Sequence, residues 1–392
     1  MISICVGGDS DLAQTEPADV KFGRLAKDSK KRRIYTVPDG YSQKIRQLQA
    51  NATRAFQHRV ILYHPLLQTL LQEAVAVAVE ACADDTKGQV CYICTQALHW
   101  KTKEGLVRGC SCRGTAGFAH VSCLVEQAKI LVAEAEENNL HLKDFNQRWR
   151  RWHMCSMCKQ DYHGVVRCAL GWACWKTYVG RPEEDWARCG AMNQLGNGLC
   201  EAQHHEDALS VREAELSIKR RLGDSEENML AAQSNLANTY ENIGRLEQAT
   251  SLRQGVHSGR LKLNGEEHRE TLRAAHNYAL SLVALRRFQE AKQLIRKSLS
   301  VAQRALGESH QLTLKMRSLY ASALCLVEGA TLSDLREGVT MLEDADRVAR
   351  RVLGGLNPVA AGIQKNLQAV RAALAAARKG ESIRGWTHKR HL

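Results

Sequence analysis

Apolar residues recur along most of this chain at the three-to-four-residue spacing of a half-buried helix. From Ala191 onward the pattern itself repeats. Gly223, Gly265 and Gly307 stand 42 residues apart, and each closes a helical run: Lys219-Arg-Arg-Leu-Gly, Leu261-Lys-Leu-Asn-Gly and Arg304-Ala-Leu-Gly. A glycine there fits a left-handed helix C-cap. Leu353-Gly354 repeats the pattern after five extra residues, which fall near Gly329 to Asp334. His268 and His310 follow their glycines by three residues, and Asn235-Leu-Ala recurs as Asn277-Tyr-Ala. Ala249 and Ala291 open equivalent helices. Each period holds two amphipathic helices, and a helix pair cannot bury its apolar face alone, so neighbours must stack. The spacing predicts an α-solenoid over residues 191–380.

Upstream the pattern is less regular. Residues 1–40 are polar and charged without periodicity, which predicts disorder. Residues 41–87 read as a helical segment through Leu62, Leu66, Leu70, Leu71, Val75 and Val79, packing on a later domain. Residues 88–163 carry a dense Cys/His cluster, with a helix expected from Leu124 to Asn138. Residues 164–190 form a Trp-rich connecting helix whose Trp172, Trp175, Tyr178 and Trp186 are suited to joining two domains. Residues 381–392 are a basic tail.

Composition sharpens this picture. Five Pro and 5% aromatics favour helix over a large sheet. The net charge of +13 is spread over solvated faces, apart from the run Lys27, Lys30, Lys31, Arg32, Arg33, which resembles a nuclear address. No secretory leader or membrane-length apolar run is visible, so cytoplasm or nucleus is the expected setting, with no membrane partner and no nucleic acid expected. In a reducing compartment the 14 cysteines call for metal or burial instead of disulfides.

Half of those cysteines are paired by spacing: Cys91-x2-Cys94, Cys110-x-Cys112, His120-x2-Cys123 and Cys155-x2-Cys158. Two ligands one or two residues apart grip one ion from a tight turn, and zinc takes four such ligands in a tetrahedron, so four pairs make two closed sites. Closed sites are structural, with no activated water. The other cysteines (Cys5, Cys82, Cys168, Cys174, Cys189, Cys200 and Cys325) read as small buried hydrophobes. No Gly-rich phosphate loop or nucleophile elbow accompanies them.

The order of seven Cys and one His, the Cys-x-Cys second pair and the segments Cys91-Tyr-Ile-Cys94, Cys110-Ser-Cys112-Arg-Gly-Thr115 and His120-Val-Ser-Cys123-Leu124 resemble the RING-CH (RINGv) finger of the membrane-associated RING-CH ubiquitin ligases. The resemblance implies a cross-brace, with Cys91, Cys94, His120 and Cys123 on a first Zn2+ and Cys110, Cys112, Cys155 and Cys158 on a second. It further implies a ubiquitin-conjugating enzyme and ubiquitin as partners, with Ile93 as an apolar contact and Lys159 at the basic position after the last ligand. No residue would form a covalent intermediate. Three features depart from the family: Gln127 stands where an aromatic is usual, the segment between Cys123 and Cys155 is long, and repeats replace transmembrane helices. The PHD finger, a histone reader, uses the same ligand types, but has an aromatic two residues before its seventh ligand, where His153 stands here.

The repeats resemble tetratricopeptide repeats of the kinesin light chain type, through the Leu-Gly turns, His268 or His310, Asn-Leu-Ala and Gly244-Arg-Leu-Glu-Gln-Ala. That resemblance implies a groove for a protein substrate or peptide. Asn235 and Asn277 should face it. Arg273 and Lys315 lie four residues before equivalent sites on their helices and share that face. Two cations and two amides suit an acidic or C-terminal-carboxylate peptide. The expected fold is therefore mainly α, a small two-zinc cross-brace module followed by an α-solenoid. The expected function is a soluble RING-type ubiquitin ligase, with a non-catalytic zinc scaffold or a PHD-like chromatin reader as the alternatives.

Overall fold

A computed structural model describes residues 64–378 apart from 328, 355 and 356. The expected disorder of 1–40, the basic run at 27–33, the start of the 41–87 segment, Cys5 and the 381–392 tail lie outside the described residues. All described residues belong to one compact unit, Gln57–Leu392.

Helix α1 (His64–Ala81) packs along α5 (Gly164–Tyr178), and its Ala74, Val75, Ala78 and Val79 contribute to the core of the zinc module. A single turn, α2 (Ala83–Thr86), leads into the module. Among the described residues β-pairing is limited to two isolated antiparallel bridges, Val107 with Ala119 and Met154 with Asp161. Between the third and fourth ligand pairs rise α3 (Val121–Glu137) and α4 (Leu142–Trp149). The first starts and ends close to the expected Leu124–Asn138; the second is a short helix that periodicity did not reveal.

Helices α5 and α6 (Trp186–Glu201) cross in close contact. A Cβ on Gly198 would meet the Arg167 carbonyl oxygen at 2.7 Å, and one on Gly171 the Gln194 carbonyl oxygen at 2.9 Å. Backbone therefore lies on backbone, and a side chain at either glycine would force the helices apart. Trp172, Trp175 and Tyr178 are buried around this crossing, whereas Trp186 stays partly exposed.

The array then runs as antiparallel helices in chain order: α7 (His205–Leu222), α8 (Glu226–Asn242), α9 (Leu246–Asn264), α10 (Arg269–Ala284), α11 (Phe288–Leu306), α12 (Gln311–Leu326), α13 (Leu332–Leu353) and α14 (Pro358–Arg378). Its apolar residues fall into successive clusters, such as Leu209, Leu216, Ala232 and Leu236, then Leu282, Ile295, Leu299 and Met316, then Leu335, Leu342, Ile363 and Leu367. Each cluster joins neighbours only, as a stacked solenoid requires.

The repeat glycines depart from expectation in part. Gly223 is left-handed, at φ 65° and ψ 35°. Gly265, Gly307 and Gly354 instead combine φ of 79–88° with ψ of 150–173°, a region open almost only to glycine. At these three the glycine N–H closes the last helical bond, and at Gly307 and Gly354 the glycine carbonyl then accepts from the N–H three residues on, that of His310 and of Asn357. The histidines that follow act locally. His268 Nδ1 accepts the Glu270 N–H and His310 Nδ1 the Leu312 N–H, both at 3.2 Å, so each caps the next helix. The five extra residues produce a new start, where Thr331 and Asp334 form a capping box for the 22-residue α13.

Candidate metal centres and repeat groove

Two turns of the module share one backbone plan. In the first, Cys91 N–H donates to the Gln96 carbonyl at 3.0 Å, Thr95 N–H to the Cys91 carbonyl at 2.8 Å, and Thr95 takes φ 61°. In the second, Cys155 N–H donates to the Gln160 carbonyl at 2.9 Å, Lys159 N–H to the Cys155 carbonyl at 3.1 Å, and Lys159 takes φ 58°. Each turn thus folds two cysteines onto the same side and passes through a left-handed residue immediately after the second. Neither residue is glycine, so both positions are strained and held by the closed turn.

The remaining ligands come from elements that bring them to these turns. Cys110 and Cys112 follow the Val107–Ala119 bridge. His120 occupies the N-cap position of α3 and Cys123 its first turn. Because the His120 ring faces the thiols it does not cap the helix. The Glu104 carboxylate does so instead, accepting from Ser122 N–H at 2.7 Å and Ser122 Oγ at 2.9 Å.

Cys91, Cys94, His120 and Cys123 offer ligand atoms all within 4.8 Å of one another, and so do Cys110, Cys112, Cys155 and Cys158. First pair with third and second with fourth is the interleaving of a cross-brace. The spacing also fits zinc. A tetrahedron with Zn–S of about 2.3 Å and Zn–N of about 2.0–2.1 Å places neighbouring sulfurs about 3.8 Å apart and sulfur to nitrogen about 3.6 Å apart. Cys112 Sγ lies 3.8 Å from Cys155 Sγ. His120 Nδ1 lies 3.4 Å from Cys94 Sγ and 3.6 Å from Cys123 Sγ. Its Nε2 is 3.3 Å from the Ala97 carbonyl, which can only accept, so Nε2 carries the proton and the Nδ1 lone pair faces the thiols. Burial keeps this imidazole below its ordinary pKa, in the neutral form a metal requires. In the second cluster, hydrogen bonding from Cys110 holds the Cys155 thiol down at about 4, against the upward push of burial.

Around the ligands lies a thin core of Leu106, Val107, Phe118, Tyr162 and Val166, with Cys91 and Cys155 themselves fully buried in it. Tyr92 Oη and Ser156 Oγ are 2.9 Å apart, tying the two turns together at equivalent positions. The next residues along, Ile93 and Met157, are 36% and 48% exposed. Met157 was missed in the sequence; its place in Cys155-x2-Cys158 matches that of Ile93 in Cys91-x2-Cys94, which was the available signal. Lys159 is exposed, and its ammonium donates to the Ser156 carbonyl. Gln127 is half-buried on α3.

On the repeats, Asn235 is half-buried and its amide donates to Asn193 Oδ1 at 3.4 Å. The same Oδ1 accepts from Arg212 Nη1 at 2.8 Å, and Arg212 also binds Asn197 Oδ1. Arg212 is 2% exposed and is paired with Glu215 at 2.9 Å. A second buried arginine repeats the device, as Arg253 donates to Asn238 Oδ1 at 3.0 Å and pairs with Glu241. With their oxygens accepting from guanidinium, Asn193, Asn197 and Asn238 keep their amide N–H donors for other partners. Asn197, Asn235 and Asn238 line a cleft of 530 Å³ whose far wall carries Asp161 and His163 of the module, and Asn193 and Asn235 line a neighbouring one. The other sequence-named groove residues are placed less simply. Arg273 is exposed but engaged by Glu270 on its own helix. Asn277 is half-buried, its carbonyl accepting from Arg253 at 2.7 Å. Lys315 is exposed on α12.

Comparison with known proteins agrees with these two parts. A RING-variant domain model matches residues 91–139, and a tetratricopeptide repeat model matches residues 228–304. The chain therefore carries a RING-variant domain joined to tetratricopeptide repeats. The domain match ends before Cys155 and Cys158, which the structure nevertheless brings to the second cluster. Similar solved structures include kinesin light chain TPR-like repeats from Podosopora anserina, 19% identical with a TM-score of 0.41, covering 60% of this chain and 98% of that one. BtubC (BKLC) from P. vanneervenii is 17% identical with a TM-score of 0.34, covering 69% and 94%. No curated protein matches the chain. No helix among the described residues is long and apolar enough to cross a membrane.

Proposed function

We propose that this protein is a RING-type ubiquitin ligase of the cytoplasm or nucleus, holding two Zn2+ ions and recruiting its substrate on the repeats. The first ion is held by Cys91, Cys94, His120 and Cys123, the second by Cys110, Cys112, Cys155 and Cys158. Zinc here supplies only shape, since it fixes both turns and leaves no open coordination position.

The observation that carries the proposal is the pair of equivalent turns, tied through Tyr92 and Ser156, that leave Ile93 on one and Met157 and Lys159 on the other exposed. Two apolar side chains on a rigid support suit an apolar contact with a ubiquitin-conjugating enzyme. A cation on the adjoining residue suits a hydrogen bond that holds the thioester-linked ubiquitin in one pose. The substrate lysine amine then attacks the thioester carbonyl, an amide forms and the carrier's thiol leaves. The protein contributes orientation and proximity, with no covalent intermediate of its own. The groove of asparagine amides offers donors to the carbonyls of an extended peptide, and Arg273 and Lys315 add positive charge further along.

A non-catalytic scaffold is the competing reading, favoured by one observation: a half-buried Gln127 replaces the aromatic of the family's conjugating-enzyme groove. Autoubiquitination with a panel of conjugating enzymes separates the two. Activity with at least one carrier is expected, falling about tenfold or more in Ile93→Ala and in Met157→Ala while zinc content stays unchanged. Zinc-loaded protein that is inactive with every carrier leaves the scaffold.

A further inference from the structure

We propose that the α3–α4 insert is a rigid brace that seats the zinc module on α5 and α6, the helices leading into the array, in one orientation, with Trp149 and Gly190 as positioning residues that decide which lysines can be reached. The consequence for transfer rests on the ligase reading above; the brace itself does not.

Three independent ties join the insert to α5, α6 and the turn between them, the helices that lead into the array. The first is steric and aromatic. Trp149, at the end of α4, lies against Gly190 of α6 so closely that a Cβ there would stand 2.7 Å from Trp149 Cζ2 and 3.2 Å from Cε2. The ring meets Trp186 edge-on at 4.9 Å, and Phe145 meets the same Trp186 at 4.2 Å. Trp152, fully buried, meets Tyr178 at 5.7 Å. The second tie is ionic. Arg181, in the turn between α5 and α6, grips Glu136 of α3 with both nitrogens at 2.7 and 3.0 Å, its guanidinium 4.8 Å above the Tyr178 ring. The third is buried. Arg167, 7% exposed, donates to the His153 carbonyl at 3.1 Å, two residues from a ligand, and to Gln194 Oε1 of α6 at 3.3 Å.

A tether that merely kept module and repeats together would need length and no contacts, since effective concentration depends only on reach. Here planar rings, a bidentate ion pair and a buried guanidinium fix separate directions. A rigid brace narrows the arrangements that bring an amine to the thioester, favouring few lysines strongly over many weakly.

The test uses the full, zinc-loaded chain. Nitroxides are placed through unnatural amino acids at exposed Lys101 in the module and exposed Lys262 on α9, and their separation is read by pulsed EPR. One narrow distance is expected in the parent chain. Its width should at least double in Gly190→Leu, which drives Trp149 off its seat, and in the charge-reversing Glu136→Arg; adding Arg181→Glu to the latter should restore it. A broad distribution in the parent chain, or unchanged widths in both variants, overturns the brace. With a competent conjugating enzyme, discharge to free lysine should stay within about twofold in the variants, while the rate at the preferred self-modified lysines falls about tenfold and modification spreads to others. An unchanged map of modified lysines alongside a broadened distance overturns the positioning role. Absence of discharge in the parent chain removes the ligase reading and leaves the EPR result to decide the brace.

Discussion

The stretch from Cys91 to Cys158 and the stretch from Glu226 to Leu353 are held in shape by different means. The first has one isolated bridge inside it and another reaching Asp161 just beyond, long loops, and a core in which ligand cysteines are among the buried residues. The second has regular helices with a row of apolar clusters such as Leu282, Ile295 and Met316. A core as thin as that of the module does not order loops by apolar burial alone, so its shape depends on the ligands being drawn together. The array owes its shape to local stacking repeated many times. One region should therefore fail all at once when a single ingredient is withdrawn, and the other by degrees.

The largest expected effect follows from removing metal. Chelation should abolish amide protection over the ligand turns, residues 91–120 and 154–160, while residues 226–353 remain protected, as read by hydrogen exchange. Equal persistence in both regions would erase the distinction. Within the array, the sharpest single break is Arg212→Ala. It leaves Glu215 as a buried charge and strips Asn193 and Asn197 of their donor, which should cost about 3–5 kcal/mol in urea unfolding. The exposed pair of Arg273 with Glu270 provides the contrast, since Arg273→Ala should cost about 1 kcal/mol or less.

A smaller effect depends on pH. His276 is 9% exposed, and burial pushes its pKa down to about 4, with Lys315 and Arg253 adding to the shift and Asn277 opposing it. The unfolded chain binds the proton near its ordinary value of about 6.5, and the folded chain only near 4. Between those values the unfolded state holds more protons, so stability is fully present above about pH 6.5 and declines as pH falls toward 4, by about 3 kcal/mol in all. Comparing pH-dependent unfolding of the parent chain with His276→Gln should show a flatter acid limb in the variant. Parallel limbs would mean that His276 is not the group responsible.

Much of both regions was legible before any coordinates, for a physical reason. The ligand pairs and the glycine period are short-range or periodic features, and both are written in spacing. Which pair shares an ion with which is not: that arrangement came from a resemblance, and the clusters around His120 and Cys155 have the same interleaving. The helix at Leu142–Trp149 is only eight residues long, so Leu142, Phe145 and Trp149 are too few to stand out as a face, and the contact of Trp149 with Gly190 is remote in sequence. The clamp of Arg212 on Asn193 and Asn197 was equally hidden, since an arginine in a helical repeat looks like a solvated one until its partners are known. His268 and His310 were visible as a recurrence, but only their hydrogen bonds reveal them as caps.

The interval from Gly265 to Gly307, with the same glycine geometry at both ends, makes that stretch of the array a repeating unit. Excising residues 266–307 would splice one closing glycine to the segment that ordinarily follows the next, so His310 should cap the helix at the junction as His268 does now. The reach of the molecule can thus be trimmed or extended in whole units, like links in a watch strap, while the end that carries the cysteines stays as it was.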